Sequence, residues 1–249
     1  MTDDRALPRV AVVTGASSGI GSATAVALAR AGFRVVIGAR RLDVLAEIAA
    51  QFDGTALALD VTQTSSVEAF AGAIDYADVL VNNAGLAVGR DPIAELSDEA
   101  IYTMWQTNVA GLLRVTRALL PRLTESPQGH IVNVGSVGGF EVYPNGGGYT
   151  LTKHAVRAVT RTLRLELLDV GIRVTEVAPG LVETDFSLVR YAGDAERAAK
   201  TYEGIASLAA EDVADCIVWA VTRPPHVNVD EIVVRPTAQA TTGVVKHTV

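Results

Sequence analysis

Short apolar runs alternate with longer amphipathic stretches along this 249-residue chain. The apolar runs are nearly continuous and rich in Val, Ile and Leu, which is typical of strands covered on both faces. We predict seven strands: Arg9–Val13, Arg34–Ala39, Thr55–Leu59, Asp78–Val81, His130–Gly135, Ile172–Ala178 and Glu231–Val234. We predict helices over the intervening stretches: Ile20–Ala31, Asp43–Phe52, Ser65–Ile74, Asp98–Leu123, Tyr149–Val170 and Glu211–Thr222.

This order of elements predicts a doubly wound α/β fold, in which a seven-stranded parallel sheet carries helices on both faces. No internal repeat, low-complexity tract or linker-like change of composition divides the chain. We therefore expect residues 1–249 to form a single domain.

Composition excludes several classes of function. A formal charge of −7 argues against a partner held by phosphate neutralisation, such as nucleic acid. The single cysteine, Cys216, cannot form an internal disulfide, and the four histidines do not stand at ligand spacing, so we expect no metal. The uncharged run Val10–Ala29 is broken by glycines and hydroxyl residues, and it makes a poor signal peptide or membrane helix. We expect a cytoplasmic protein without a membrane partner.

The first predicted strand runs into a glycine-rich turn that opens a helix, with Gly15, Gly19 and Gly21 in the turn. Glycine lets the backbone turn sharply and approach a pyrophosphate, and the helix N-terminus attracts the phosphate charge. The spacing differs from the common G-x-G-x-x-G pattern, and no G-K-[ST] follows, which excludes a nucleoside-triphosphate P-loop. The alternative is a tight turn without a ligand.

The end of the second strand indicates which dinucleotide would bind. An acid at this position would hold the ribose 2′-hydroxyl of NAD, but the sequence has Arg40 and Arg41. A guanidinium can bind a 2′-phosphate through two parallel hydrogen bonds, which favours NADP. The alternative is a solvated arginine pair at a helix start.

Tyr149 and Lys153 stand four residues apart in a helical pattern and therefore share a face. Carbonyl reduction needs a proton donor and alcohol oxidation needs a base. We expect the lysine cation, helped by the positive nicotinamide ring, to favour the phenolate and so lower the pKa of the tyrosine. Ser136, at a strand end, would hydrogen-bond the developing alkoxide. The alternatives are a surface pair and an ordinary turn serine.

Together these segments resemble the short-chain dehydrogenase/reductase family. The matching motifs are Thr14-Gly15-Ala16-Ser17-Ser18-Gly19-Ile20-Gly21, Asp60-Val61, Asn82-Asn83-Ala84-Gly85, Asn108, Ser136, Tyr149-x-x-x-Lys153 and Pro179-Gly180-x-x-x-Thr184. One departure is Leu151, where the family usually has alanine, which puts local helix packing in doubt.

The resemblance implies a Rossmann-type sheet that binds NADP at the carboxyl ends of its strands. It implies a catalytic set of Asn108, Ser136, Tyr149 and Lys153, in which Asn108 holds a water that relays protons to the lysine. It implies the following cofactor-binding residues: Gly15, Ser17, Ser18, Gly19, Ile20, Gly21, Arg40, Arg41, Asp60, Val61, Asn82, Ala84, Gly85, Tyr149, Lys153, Pro179, Gly180, Val182 and Thr184.

Within the family the chain resembles the NADP-dependent serine and 3-hydroxy acid dehydrogenases most, notably over Pro179–Phe186 and Val189–Asp194. A small hydroxy acid would be oriented by Ser136 and Tyr149, with Arg190 holding the carboxylate unless Arg190 pairs with Asp194 instead. We keep open three alternatives: a 3-oxoacyl-thioester reductase, an aldehyde reductase of a biosynthetic pathway, and a non-catalytic NADP sensor. The thioester reading would use Arg157, Arg161 and Arg164 as a landing patch for an acidic carrier.

The resemblance also implies a homotetramer. Its interfaces would use the predicted helices Asp98–Leu123 and Tyr149–Val170, and then Glu211–Thr222 with the last strand. The candidate interface residues are Leu112, Val115, Leu119, Val156 and Leu163, although packing on the sheet could claim some of them.

Overall fold

The computed structural model describes residues 8–247 and has a seven-stranded parallel sheet at its centre. The strand order is β3-β2-β1-β4-β5-β6-β7. The strands are β1 Val10–Thr14, β2 Arg34–Ala39, β3 Thr55–Ala58, β4 Val79–Asn82, β5 His130–Val134, β6 Arg173–Pro179 and β7 Glu231–Val234. The predicted fold class and all seven predicted strands are confirmed, with ends that agree to within one residue.

Helices cover both faces of the sheet, and a short antiparallel hairpin follows β7. The helices are α1 Gly19–Arg30, α2 Leu42–Ala49, α3 Thr64–Gly72, α4 Asp98–Trp105, α5 Leu112–Thr124, α6 Gly147–Glu166, α7 Phe186–Arg190, α8 Ala195–Lys200 and α9 Ala210–Val221. The hairpin strands are β8 Gln239–Thr241 and β9 Val244–Val245.

The prediction of one helix over Asp98–Leu123 was wrong. A π-helical turn, Gln106–Gly111, separates α4 from α5. The helix predicted at Tyr149–Val170 begins two residues earlier and ends at Glu166. The short helices α7 and α8 and the hairpin were not predicted, because none has a long enough run of residues to show a period.

Strand side chains alternate between two apolar layers, so the sheet is buried on both sides. Val13 packs with α1, α2 and α9 in a layer that includes Leu28, Leu45 and Ile217. Val12 faces the other layer, which contains residues of α3 and α5 such as Phe70 and Leu119. This alternation explains why the strand sequences are almost continuously apolar.

The side chains predicted to form the tetramer interface lie inside the protomer instead. Val115 and Leu119 belong to the layer between α5 and the sheet, and Leu163 packs partly buried against it. Leu112 and Val156 join the π-helical turn to α6 through Val109. Core packing, which the sequence analysis kept as the alternative, therefore accounts for all five.

The strand order reverses between β1 and β4, and the chain leaves these neighbouring strands in opposite directions. In doubly wound sheets this reversal opens a crevice at the carboxyl ends of the strands, where ligands bind. Within residues 8–247, no helix is both long enough and apolar enough to cross a membrane.

Candidate active site

A cavity of about 730 Å³ lies at the carboxyl edge of the sheet, at the point where the strand order reverses. Most of the residues predicted for the site line it. They are Gly15, Ser17, Ser18, Gly19, Ile20, Arg40, Arg41, Asp60, Val61, Ala84, Gly85, Ser136, Tyr149, Lys153, Pro179, Gly180, Val182, Thr184 and Arg190.

Gly21 and Asn82 stand behind the cavity lining rather than in it. A Cβ on Gly21 would lie 2.4 Å from Asn83 Nδ2, so this glycine lets α1 pack tightly on the loop after β4. Asn82 is buried, and its Nδ2 donates to Thr116 Oγ1 and Asn133 Oδ1, both at 2.9 Å. Asn82 therefore joins the sheet to α5, and it is the next residue, Asn83, that reaches the cleft.

Asn108 also lies behind the cleft, on the π-helical turn. Its Oδ1 accepts from Leu86 N, and its Nδ2 donates to Leu86 O, both at 2.8 Å. Nδ2 also donates to Thr152 Oγ1 at 3.0 Å. The extra residue of a π turn re-aims the side chain, and here the amide joins the loop after β4 to α6, one residue before Lys153.

The glycine turn fits a pyrophosphate. Gly15 has φ +66°, and a Cβ there would lie 2.7 Å from Ala84 Cα, so only glycine suits this position. Ser18 precedes α1 in extended conformation, its side chain forms no cap hydrogen bond, and the first turn of α1 contains no acid. The helix N-terminus therefore presents backbone N–H groups and partial positive charge to the cleft.

Two arginines follow β2 at the end of the cleft beyond this turn. The Arg41 guanidinium donates through Nη2 to Ser17 Oγ at 3.0 Å and to Ser17 O at 3.2 Å. This contact ties Arg41 to the glycine turn, while Arg40 is exposed at the rim of the cavity. Asp60, on the neighbouring wall, accepts from the Thr62 amide and hydroxyl at 2.9 and 2.7 Å.

Tyr149, Ser136 and Lys153 meet at the opposite end of the cleft. The first turn of α6 carries Tyr149, and Lys153 follows one turn later on the same face. Ser136 follows β5, and its Oγ accepts from Gly138 N at 3.0 Å. Lys153 is buried, its Nζ donates to Val134 O at 2.8 Å, and Nζ lies 5.8 Å from the centre of the Tyr149 ring.

The expected effect of Lys153 on the tyrosine is not seen in the protein without cofactor. Burial raises the pKa of Tyr149 above its usual value, opposed by a hydrogen bond with Ser136 and by the charge of Arg190. Burial lowers the pKa of Lys153 to about 8, and Glu176 opposes that fall. The phenol is therefore held protonated, which suits a proton donor.

Arg190 lies over the ring of Tyr149. Its guanidinium carbon is 5.1 Å from the ring centres of both Tyr149 and Phe186, and its Nη2 is 3.4 Å from Tyr143 Oη. Its Nε is buried and has no hydrogen-bond partner within residues 8–247. The predicted alternative of a pair with Asp194 is not found, because Asp194 instead caps α8 through Arg197 N.

Sequence reasoning missed several residues of the cleft. Tyr143, Arg90 and Gln239 line it, and Arg90 lies 5.3 Å from the Tyr143 ring centre. They stand on loops and a short strand without any motif, so only the fold brings them together. Gly148, just before Tyr149, allows close packing, because a Cβ there would lie 2.5 Å from Met104 Cε.

The comparisons with known proteins agree with this geometry. The family model described as short chain dehydrogenase matches residues 9–193. The chain belongs to the short-chain dehydrogenase family.

Three similar proteins cover nearly the whole of this short-chain dehydrogenase. An uncharacterised oxidoreductase of Mycobacterium tuberculosis is 55% identical over 93% of this chain and 92% of its own. An NADP-dependent 3-hydroxy acid dehydrogenase of Schizosaccharomyces pombe is 40% identical over 92% of each chain. The closed form of serine dehydrogenase complexed with NADP⁺ superposes with a TM-score of 0.91 at 37% identity, covering 96% of this chain and 99% of that chain.

Proposed function

We propose that this short-chain dehydrogenase is an NADP-dependent enzyme that interconverts a small hydroxy acid, of the 3-hydroxy acid or serine type, and its carbonyl form. The names of the Schizosaccharomyces pombe relative and of the serine dehydrogenase complex support both the cofactor and the substrate class. When bound, NADP supplies the hydride chemistry that no side chain can provide.

The residues at the two ends of the cleft fit that cofactor. The open N-terminus of α1 and the turn at Gly15, which has a positive φ, would form a cradle for a pyrophosphate. Arg40 and Arg41 give the adenosine end a pair of guanidiniums that would bind a 2′-phosphate and leave no acid to repel it.

The catalytic side chains would transfer the proton. The Tyr149 hydroxyl, whose pKa burial raises above an ordinary value that already lies well above neutral pH, would donate its proton to the substrate oxygen during carbonyl reduction. The Ser136 hydroxyl would hydrogen-bond the same oxygen as negative charge develops on it. Lys153 would place a positive charge behind the phenol, and Asn108 would hold the loop after β4 against α6.

The substrate class rests on Arg190. This guanidinium stacks on the catalytic tyrosine and has a buried Nε without a partner. A buried donor without a partner is costly unless a ligand completes its hydrogen bonds, and a carboxylate matches the planar fork of arginine. An acid group one or two carbons from the reacting hydroxyl would meet this requirement.

The thioester alternative loses two of its three supporting arginines. Arg157 binds Glu231, with Nη2 and Oε2 at 2.7 Å, and Arg164 donates to Asp230 O at 2.7 Å. Two of the three arginines of the predicted landing patch therefore make contacts within the chain and are partly buried. The third, Arg161, is exposed.

The test compares 3-hydroxypropionate with its neutral methyl ester, which differs in charge but hardly in shape. In Arg190→Met, kcat/KM for the acid should fall about 10- to 100-fold, since a charged hydrogen bond contributes about 1.5–3 kcal/mol. The ester should change less than about threefold. Arg197→Met is the matched control, because Arg197 also stacks on a tyrosine, Tyr191, but is exposed.

Two outcomes would contradict the proposal. If both substrates lose activity equally in Arg190→Met, the arginine is structural and the acid class loses its support. If Tyr149→Phe retains near-normal turnover on either substrate, the proposed proton donor is wrong.

A further inference from the structure

Glu176 of β6 carries a buried carboxylate that faces Arg157 of α6. Glu176 is 2% exposed, and its Oε2 is 3.7 Å from Arg157 Nη1. Among the described residues, its Oε1 has no hydrogen-bond partner. Arg157 is itself bound through two hydrogen bonds to Glu231, so it only partly compensates Glu176.

The chain makes room for this carboxylate at two glycines. A Cβ on Gly135 would lie 2.2 Å from Glu176 Oε1, and one on Gly139 would lie 3.7 Å from the same atom. Both glycines flank Ser136 in the turn after β5. The unpartnered oxygen is therefore directed at the backbone that carries the catalytic serine.

The same backbone binds the catalytic lysine. Lys153 Nζ donates to the carbonyl of Val134, the residue before Gly135. Lys153 is 6% exposed, so its ammonium is removed from water and rests on a neutral oxygen. A charge buried in this way needs an opposite charge nearby to stay ionised.

We propose that Glu176 is the counter-charge of Lys153, a positioning residue that keeps the lysine ammonium ionised beneath the active site. The proposal rests on the proposed function only in taking Lys153 as part of the reaction. It assigns a role to a carboxylate that lies behind the cleft and is not among the residues that line it.

Burial and the surrounding charges both act on the Glu176 carboxylate. From α6, Lys153, Arg157 and Arg161 act on Glu176 with positive charge, while Glu231 of β7 opposes them. Burial raises the pKa of Glu176, and these three cations together with Glu231 set how far. In return, the charge of Glu176 opposes the fall in the pKa of Lys153.

The sequence makes the test direct, because the chain has only three lysines: Lys153, Lys200 and Lys246. Lys200 and Lys246 are exposed. In cofactor-free protein labelled with ¹³C and ¹⁵N in lysine, one of the three side chains should titrate near pH 8, and Lys153→Met should remove it.

In Glu176→Gln, the titration of Lys153 should move about one pH unit lower, because the ammonium loses its counter-charge. Glu176→Asp keeps the charge but withdraws it by one methylene, so its shift should be smaller and in the same direction. Glu231→Gln is the matched control: it removes a carboxylate from the far side of Arg157 and should move the titration much less.

An unchanged titration of Lys153 in Glu176→Gln overturns the proposal, as does an equal shift in Glu231→Gln. If Glu176→Gln does not fold, an unchanged titration in Glu176→Asp overturns it equally. The measurement needs neither cofactor nor turnover. An unchanged titration would therefore overturn the role of Glu176 without affecting the hydroxy acid proposal. Inactivity toward hydroxy acids would overturn that proposal without affecting the titration.

Discussion

Arg40 is the residue on which we expect the cofactor preference to depend most, since it is exposed at the rim of the cleft while Arg41 is bonded to Ser17. We predict at least a tenfold preference for NADP over NAD in kcat/KM, about 1.4 kcal/mol. Arg40→Asp should reverse it, because the carboxylate repels a 2′-phosphate and accepts from a ribose hydroxyl.

Arg34→Asp provides the matched control for that experiment. It makes the same change of charge on an exposed arginine at the opposite end of β2. Initial rates with both cofactors should show an unaltered ratio in this variant. Equal kcat/KM values for the two cofactors in the unmodified protein would refute the assignment.

His130 should make the stability of the fold depend on pH. It is fully buried at the start of β5, and its Nε2 lies 2.8 Å from Thr175 Oγ1. Burial and the charges of Arg173 and Arg9 lower its pKa to about 3. In the unfolded chain His130 therefore binds a proton near pH 6.5, whereas in the folded chain it stays neutral until the pH approaches 3.

This contribution to stability is complete above pH 6.5 and is lost as the pH falls from 6.5 toward 3. At pH 5 the loss from His130 should be about 2 kcal/mol. His130→Gln keeps a donor for Thr175 but does not titrate. Urea unfolding at pH 7 and pH 5 should show a smaller loss in this variant, and an identical loss would refute the assignment.

At the residue scale the sequence predicted which side chains meet, but not their electrostatics. The motif spacing was enough to bring Tyr149, Lys153 and Ser136 to one end of the cleft. The pKa of Tyr149 depends instead on burial and on Arg190, which comes from a separate element. The position of that arginine over the ring follows from tertiary packing, which no local pattern encodes.

The π-helical turn between α4 and α5 is hydrogen-bonded to α6, the helix that carries Tyr149 and Lys153. It aims Asn108 at Leu86 and Thr152. Asn108→Asp removes the donor of both contacts and buries a charge, so we predict a loss of about 1–3 kcal/mol in the free energy of unfolding. Activity should fall with it, because the loop after β4 is no longer fixed to α6.

Gln106→Glu is the matched control, since it makes the same amide-to-acid change on the same turn. Gln106 Oε1 accepts from Arg114 Nη2 at 2.7 Å, and a carboxylate would keep and strengthen that bond. Chemical denaturation of both variants gives their free energies of unfolding, which we expect to fall in Asn108→Asp and not in Gln106→Glu. Equal losses of stability in the two variants would show that the hydrogen bonds of Asn108 do not stabilise the fold more than those of Gln106.

At the element scale, long periodic segments could be predicted and short or irregular ones could not. The seven strands were visible because burial on both faces demands nearly continuous apolar residues. The π turn was not, because the apolar positions of α4 and α5 continue across one inserted residue without a break that composition reveals. The hairpin β8–β9 has five residues in its strands, too few to show alternation.

For the whole molecule, the homotetramer stays a prediction with a revised set of residues. On the helices named for the first interface, Tyr102, Trp105 and Leu151 expose 65%, 40% and 50% of their surface. On the second, Trp219 of α9 and Val233 of β7 expose 49% and 42%. We predict that another copy of the chain covers these side chains in the tetramer.

Sedimentation at micromolar concentration should therefore show a tetramer. Leu151→Glu and Trp219→Glu, each placed on a different predicted interface, should each yield dimers, because a charge in an apolar contact is costly. A monomer in the unmodified protein would contradict the prediction, and a tetramer that survives both substitutions would place the contacts elsewhere.

The scarcity of lysine also governs how the protein could be fixed to a solid support. Lys200 ends α8 immediately before Thr201 and Tyr202, which line the cleft, and the Lys246 amide bonds to Ala238 O beside the cleft residue Gln239. A resin that reacts with side-chain amines would therefore bind the molecule with the opening of the cleft toward the resin, which would hinder the entry of substrate. A thiol introduced by Glu125→Cys, before β5 at the opposite edge of the sheet, would leave the cleft facing the solution.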